Sequence, residues 1–165
     1  RVDSYYKWQG AGLVTLEQGS IHKARPLITS MRFGWDDERL YLSLDGPDPL
    51  GKALDEGHVI ELHIHEPMHR DIRIARGVAG DLLVTCDSCS GRHAGIEVMV
   101  DSVIELSVPG RVLREEDRQG LDPGTYVELY IRVERDGREL ERFPFANNLA
   151  FQVRGQDMEL ENWYV

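Results

Sequence analysis

Apolar and polar residues alternate with a period of two along most of this chain. In "HVIELHIHE" (58–66), Ile60, Leu62 and Ile64 alternate with Glu61, His63 and His65. The same period occurs in "MRFGW", "RLYLSLD", "RDIRIAR", "DLLVTC", "GIEVMV", "SVIELSV", "TYVELYIRVE", "NLAFQVR" and "MELENWYV". Successive side chains of a strand point to opposite faces, so this pattern predicts strands with one face on a core and one in water.

Turn-forming segments separate these runs, among them "DGPDPLG", "EPMHR", "GVAGD", "LDPG" and "RDG". Helical patterning is scarce, and "GRVLREEDRQG" (110–120) is the one short polar helix that we predict. No linker or repeat divides the chain. We therefore expect an all-β fold, an antiparallel two-sheet β-sandwich with one short helix, as a single domain over residues 1–165.

Charge and length restrict the partners of the chain. The 165 residues carry a formal charge of −10, which repels nucleic acid and anionic membranes, so we expect neither as a partner. No apolar run reaches the roughly 18 residues that a membrane span needs. Only two cysteines occur, which favours a reducing, cytoplasmic location. Because the first residue is Arg1, we interpret the sequence as a piece of a longer chain or a processed product.

Several motifs resemble known β-sandwich families. The segments "WDDERLYLSLD", "VIELSVP" and "GTYVELYIRVERDG" resemble DOMON and carbohydrate-binding family 9 domains. The segments "YYKWQGAG", "GSIHKA" and "FPFANNLAFQVRGQDMELENWYV" are similar to the C-terminal domain of bacterial glycoside hydrolase family 57 proteins. The resemblance implies a sandwich fold and a catalytic domain upstream, outside these residues.

That resemblance implies a non-catalytic accessory domain of a glycoside hydrolase family 57-like protein. Such a domain would dock on the upstream catalytic domain and bind α-glucan or another polysaccharide near it. A purely structural or interaction domain without sugar binding is the first alternative, and a metal-binding module is the second. We expect no cofactor, with calcium as the alternative discussed next.

The acidic stretch after Trp35 offers three interpretations. The indole could stack on a sugar ring while Asp36 and Asp37 accept hydrogen bonds from sugar hydroxyls. The acids, with Glu38, could instead bind calcium, which prefers carboxylate oxygens. The third interpretation, which we favour, is a hairpin loop with solvated acids, where Trp35 continues the Met31 face into the core.

Two further tryptophans are candidates for carbohydrate binding. Trp8 lies in "YYKW" beside Tyr5 and Tyr6, a cluster that suits either a sugar platform or a docking surface for another domain. Trp163 follows two glutamates on one predicted strand face, which indicates a rim or an interface position. The sequence does not decide between these roles.

Histidines and cysteines give weaker signals. His63 and His65 leave the same face of one strand, as in some zinc sites, with His22, His69 or His93 as a third ligand. Asp71 is expected opposite His65, a pairing that would argue against metal. In "CDSC" we predict two loop thiols without a role, which could form a disulfide on oxidation.

Overall fold

The computed structural model describes residues 12–15, 25–89, 95–114 and 121–154 of the chain. Eleven strands, one α-helix and two short 3₁₀ turns occur in these ranges. In chain order they are β1 (Gly12–Thr15), β2 (Ser30–Trp35), β3 (Arg39–Asp45), α1 (Leu50–Asp55), β4 (Val59–Glu66), β5 (Arg70–Arg76), β6 (Leu82–Thr85), a 3₁₀ turn (Asp87–Cys89), β7 (Glu97–Val100), β8 (Ile104–Pro109), a 3₁₀ turn (Gly110–Leu113), β9 (Tyr126–Arg135), β10 (Arg138–Phe143) and β11 (Leu149–Gln152).

These strands form two antiparallel sheets. The five-stranded sheet has the order β1-β2-β3-β8-β7. The six-stranded sheet has the order β10-β9-β4-β5-β6, and β11 pairs with the first half of β9. The predicted antiparallel two-sheet sandwich is confirmed.

The core lies between the sheets and consists of the apolar side chains that the alternation assigns inward. In β4 these are Ile60, Leu62 and Ile64, each at most 1% exposed. The neighbouring strands β5 and β9 of the same sheet add Ile72, Ile74, Val127, Leu129, Ile131 and Val133. From the other sheet, β3 and β8 contribute Leu40, Leu42, Leu44, Ile104, Leu106 and Val108. Burial of this apolar surface is the main force that holds the two sheets together.

The α-helix lies where the sequence predicted a turn. Leu50, Ala53 and Leu54 of α1 are buried and follow the i, i+3, i+4 spacing of a helix face. The amides of Leu50 and Gly51 donate to the carbonyls of Ser102 and Asp101, at 3.0 and 2.9 Å, which fixes the start of the helix on the five-stranded sheet. The predicted helix at 110–120 is described only as far as residue 114. It is one 3₁₀ turn there, and Val112 and Leu113 are buried rather than exposed.

Candidate functional site

Trp35, the central residue of the predicted sugar site, lies at the end of β2 and is half-buried against the core. Its ring stacks on Phe151 of β11, with centroids 5.1 Å apart and planes within 7°. Phe151 also stacks on Phe33, with centroids 4.8 Å apart. The indole nitrogen of Trp35 donates to the carbonyl of Arg154 at 3.2 Å. We call Phe33, Trp35 and Phe151 the aromatic edge, because these rings join the two sheets at one side of the sandwich.

Asp36 closes the β2–β3 hairpin. Its Oδ1 accepts hydrogen bonds from the amides of Glu38 and Arg39, at 2.8 and 2.7 Å, and its Oδ2 accepts one from the hydroxyl of Tyr41. Asp36 is therefore an acceptor within its own turn, as short acidic side chains often are. Asp37 is exposed, and its backbone carbonyl accepts from the amide of Leu121 at 2.7 Å.

The other two candidate tryptophans, Trp8 and Trp163, lie outside the described residues. Backbone from β1 and from the segment after β11 packs at the aromatic edge. A Cβ atom on Gly12 would overlap the ring of Phe33, so the backbone of β1 packs closely on that ring. At the other end, Arg154 supplies the carbonyl that Trp35 binds.

The candidate metal ligands His63 and His65 lie on the outward face of β4. Nδ1 of His63 is 2.7 Å from Oδ1 of Asp71, and Nε2 of His69 is 2.9 Å from Oδ2 of the same carboxylate. The expectation that Asp71 faces His65 is wrong: the β4–β5 register pairs Asp71 with His63. The hairpin turn is centred on Pro67, whereas the expected pairing would need a turn centred one residue later.

Within the described ranges, no group of three or more His, Cys, Asp or Glu side chains is placed to hold a metal ion. His22 and His93, two of the proposed third ligands, lie outside those ranges. In the acidic hairpin, the hydrogen bonds that Asp36 accepts leave it a poor starting point for a calcium site. The geometry therefore favours the hairpin interpretation of residues 36–38.

A row of planar side chains crosses the same outward face. The ring of His63 stacks on Tyr130 of β9, with centroids 4.8 Å apart and planes within 4°. The guanidinium carbon of Arg142, on β10, lies 3.7 Å from the centroid of the Tyr130 ring. Because β9 lies between β4 and β10, these neighbours approach the tyrosine from opposite sides. We call His63, Tyr130 and Arg142 the planar row; a ligand can reach the edge of the tyrosine more easily than its faces.

A network of two glutamates and two arginines adjoins the planar row. Glu61 and Glu134 have side chains only 10% and 7% exposed. Nη1 of Arg132 lies 3.1 Å from Glu61 and 3.0 Å from Glu134. Nη1 of Arg73 lies 2.6 Å from Glu134 and 3.6 Å from Glu61. The planar row, this network and Asp71 together form what we call the polar face of the six-stranded sheet.

The pKa values of the two glutamates shift in opposite directions. Burial, the hydrogen bond to Glu134 and the charge of Glu134 raise the pKa of Glu61 above its ordinary value. Burial would also raise the pKa of Glu134, but hydrogen bonds from Glu61 and Arg73 and the charges of Arg73 and Arg132 lower it overall. Glu61 is therefore the weaker acid of the pair and Glu134 the stronger.

Alternation alone does not predict how densely these groups pack. It assigned Glu61 outward correctly, but the side chain is buried beneath its neighbours on that face. Tyr130, Arg132 and Glu134 occupy the outward positions of β9, and β9 is paired with β4. Because the sequence does not show which strands pair, it could not predict that these side chains lie beside those of β4.

Cys86 and Cys89 form a disulfide and are buried, which is the pairing that the sequence left open. The two residues bracket the 3₁₀ turn after β6. This turn also contacts the polar face, because the hydroxyl of Ser88 accepts a hydrogen bond from the amide of Asp71 at 2.8 Å.

Chemically, the polar face offers donors and acceptors held in fixed positions, with few rotamers left to order on binding.

None of the helices in the described ranges has the length and hydrophobicity to cross a membrane. Comparisons of the chain with protein-family models, with curated proteins and with solved structures found no match.

Proposed function

We propose that this chain is a non-catalytic accessory domain that binds a neutral polysaccharide, α-glucan being the first candidate, through its polar face. The observation that carries the proposal is the planar row beside a buried arginine–glutamate network. Such buried ion pairs contribute little net stability, so a fold gains little by retaining them for that purpose alone. They do hold hydrogen-bonding groups in fixed positions, which suit a ligand rich in hydroxyls.

Charge supports a neutral ligand. The chain carries a formal charge of −10. On the polar face itself, the charges of Arg73 and Arg132 are offset by neighbouring carboxylates. A polysaccharide with uronate or sulfate groups would be repelled, whereas a neutral glucan meets no electrostatic barrier.

The carboxyl pair argues for binding rather than cleavage. Glycosidases hold their two acids roughly 5 Å or more apart, so that a sugar or a water fits between them. Glu61 and Glu134 are instead bridged by Nη1 of Arg132, which lies 3.1 and 3.0 Å from them, so an arginine occupies the space between the two acids. The catalytic acids would then belong to the separate family 57-type domain that the sequence resemblance implies.

Retention of the purified chain in native gels containing amylopectin or glycogen tests the proposal. We expect wild-type protein to be slowed and Arg142→Ala to migrate as in a gel without glucan, because the planar row loses one side. Arg32→Ala is the matched control, since it removes an exposed arginine from the outward face of the other sheet. Wild-type migration unaffected by every neutral glucan would refute the sugar-binding proposal.

The aromatic edge favours a second candidate function, that of a docking domain without sugar binding. Gly12 packs on the ring of Phe33, and the carbonyl of Arg154 accepts a hydrogen bond from Trp35. Trp8 is only four residues before Gly12 in the sequence, and Trp163 is nine residues after Arg154. Aromatic residues are enriched at protein interfaces, which fits a surface for the proposed catalytic domain.

Mixing the chain with a purified family 57 catalytic domain tests docking. Co-elution in size-exclusion chromatography that Trp8→Ala abolishes, together with no retention on glucan, would favour this second function. Separate elution together with glucan retention would favour the first.

A further inference from the structure

The disulfide closes a turn that contacts the polar face through Ser88. Cys89 is fully buried and Cys86 is 7% exposed, and both belong to the hydrophobic core. Their Cα atoms are 5.4 Å apart, and the amide of Cys89 donates to the carbonyl of Cys86 at 3.3 Å. The bond therefore closes a compact turn around Ser88.

Ser88 holds the first two residues of β5. Its carbonyl accepts a hydrogen bond from Nη1 of Arg70 at 2.9 Å, and its hydroxyl accepts one from the amide of Asp71 at 2.8 Å. The carboxylate of Asp71 in turn contacts His63 and His69. A continuous path thus runs from the disulfide through Ser88 and Asp71 to the planar row.

Arg70 makes this path sensitive to the position of the turn. The residue is only 6% exposed. Apart from Ser88, its described partners are the carbonyls of Val112 and His69, at 2.7 and 3.0 Å, and the sulfur of Met68. A buried guanidinium that loses an acceptor must find another or move toward water. Displacement of Ser88 would therefore shift the start of β5.

We propose that the Cys86–Cys89 disulfide is a redox-sensitive clasp that sets the position of Asp71 on the polar face. A dithiol reductant supplies two electrons and two protons: the S–S bond breaks, two cysteine thiols form, and the dithiol becomes a disulfide. Two unbonded sulfurs need more room than two bonded ones in a close-packed core, so the turn opens. Ser88 then leaves Asp71, and the contacts of Asp71 with His63 and His69 loosen.

Hydrogen exchange of the Asp71 amide measures the clasp without any ligand. After treatment with dithiothreitol, with both free thiols verified by alkylation and mass spectrometry, we expect this amide to exchange about tenfold faster. The amide of Leu62, in the centre of the sheet, serves as the internal control. Unchanged exchange at Asp71 with both thiols free would overturn the inference.

Ser88→Ala separates the clasp from general destabilisation. The variant keeps the disulfide but removes the hydroxyl acceptor, so the Asp71 amide should exchange fast before reduction and gain little afterwards. A variant that still responds to dithiothreitol as fully as wild type does would contradict the path through Ser88.

One consequence rests on the proposed function: reduction should weaken retention in glucan gels. Oxidised wild-type protein that shows no retention refutes the sugar-binding proposal and leaves the exchange experiment intact. Oxidised protein that is retained as strongly after reduction, with Asp71 exchange unchanged, refutes the clasp and leaves sugar binding intact.

Discussion

Removal of Arg132 is the sharpest test of the charged network. Its Nη1 lies 3.1 Å from Glu61 and 3.0 Å from Glu134, and its Nε lies 3.1 Å from Glu139. Glu61 and Glu134 are almost buried, whereas the arginine is 26% exposed. Arg132→Ala therefore removes one of the two arginines that contact both enclosed carboxyl groups.

The expected loss can be bounded from these contacts. Breaking a fully buried pair costs about 3–5 kcal/mol. Arg73 still lies 2.6 Å from Glu134 in the variant, and Arg132 is itself partly hydrated. We therefore expect the free energy of unfolding to fall by about 2–3 kcal/mol. For a chain of this size, that lowers the melting temperature by about 5–10 °C.

The loss should depend on pH with a defined sign. The folded-state pKa of Glu134 is lowered, partly by Arg132, so its contribution to stability is present above the unfolded pKa. That contribution disappears as the pH falls through the lowered value. The difference between wild type and Arg132→Ala should therefore be largest near neutral pH and shrink in acid.

Urea unfolding of both proteins across this pH range measures the difference. Arg135→Ala is the control, because Arg135 is an exposed residue at the end of the same strand and should change stability by less than about 0.5 kcal/mol. A loss that stays constant into acid would show that Arg132 acts by packing alone, and a loss below about 1 kcal/mol would show that the network is not desolvated enough to matter.

Four further substitutions have expected outcomes in the same unfolding assay. Glu61→Gln keeps the hydrogen bond to Glu134 and cannot ionise. Because the pKa of Glu61 is raised in the folded state, the wild-type protein loses stability as the pH rises through that raised pKa. The free energy of unfolding of the variant, relative to wild type, should therefore increase with pH. Asp36→Ala should cost about 1–2 kcal/mol through the lost turn acceptor, whereas Asp37→Ala should cost less than about 0.5 kcal/mol, and equal losses would contradict the hairpin interpretation. Trp35→Ala should cost about 2 kcal/mol through the lost ring stacking, and a negligible loss would instead favour a solvated sugar platform.

The fold follows from the alternation because burial of one sheet face selects one register of side chains. Every second residue of β4 is inward, as the sequence predicted, and the same holds for β3 and β8. Among the elements that the sequence did not predict, α1 and β10 were missed for different reasons. In α1, six residues carry too little periodicity to be recognised beside a proline-rich turn. In β10, charged residues fill both faces of the strand, so "RELERF" shows no alternation.

The site was less predictable because it depends on which strands are neighbours. The sequence placed His63 and His65 on one face but could not fix the turn to one residue, and it therefore gave Asp71 the wrong partner. It also could not bring β9 beside β4, since these strands are some 60 residues apart in the chain, a separation at which local patterns give no information. Tyr130 consequently remained an ordinary outward residue.

Alternation assigns each side chain to a face, but it does not determine how much water that face retains. Glu61, His63 and Tyr130 are all outward, yet their neighbours on adjacent strands cover much of each one. A charged side chain that is outward and still buried needs partners from at least one neighbouring strand, and here Arg73 and Arg132 come from both sides of β4. Such partners cost stability unless every one is present, so the loss of a single arginine should disturb the whole face. An outward face built in this way is partly dehydrated and fixed by its ion pairs, and the proposed sugar binding would depend on that property.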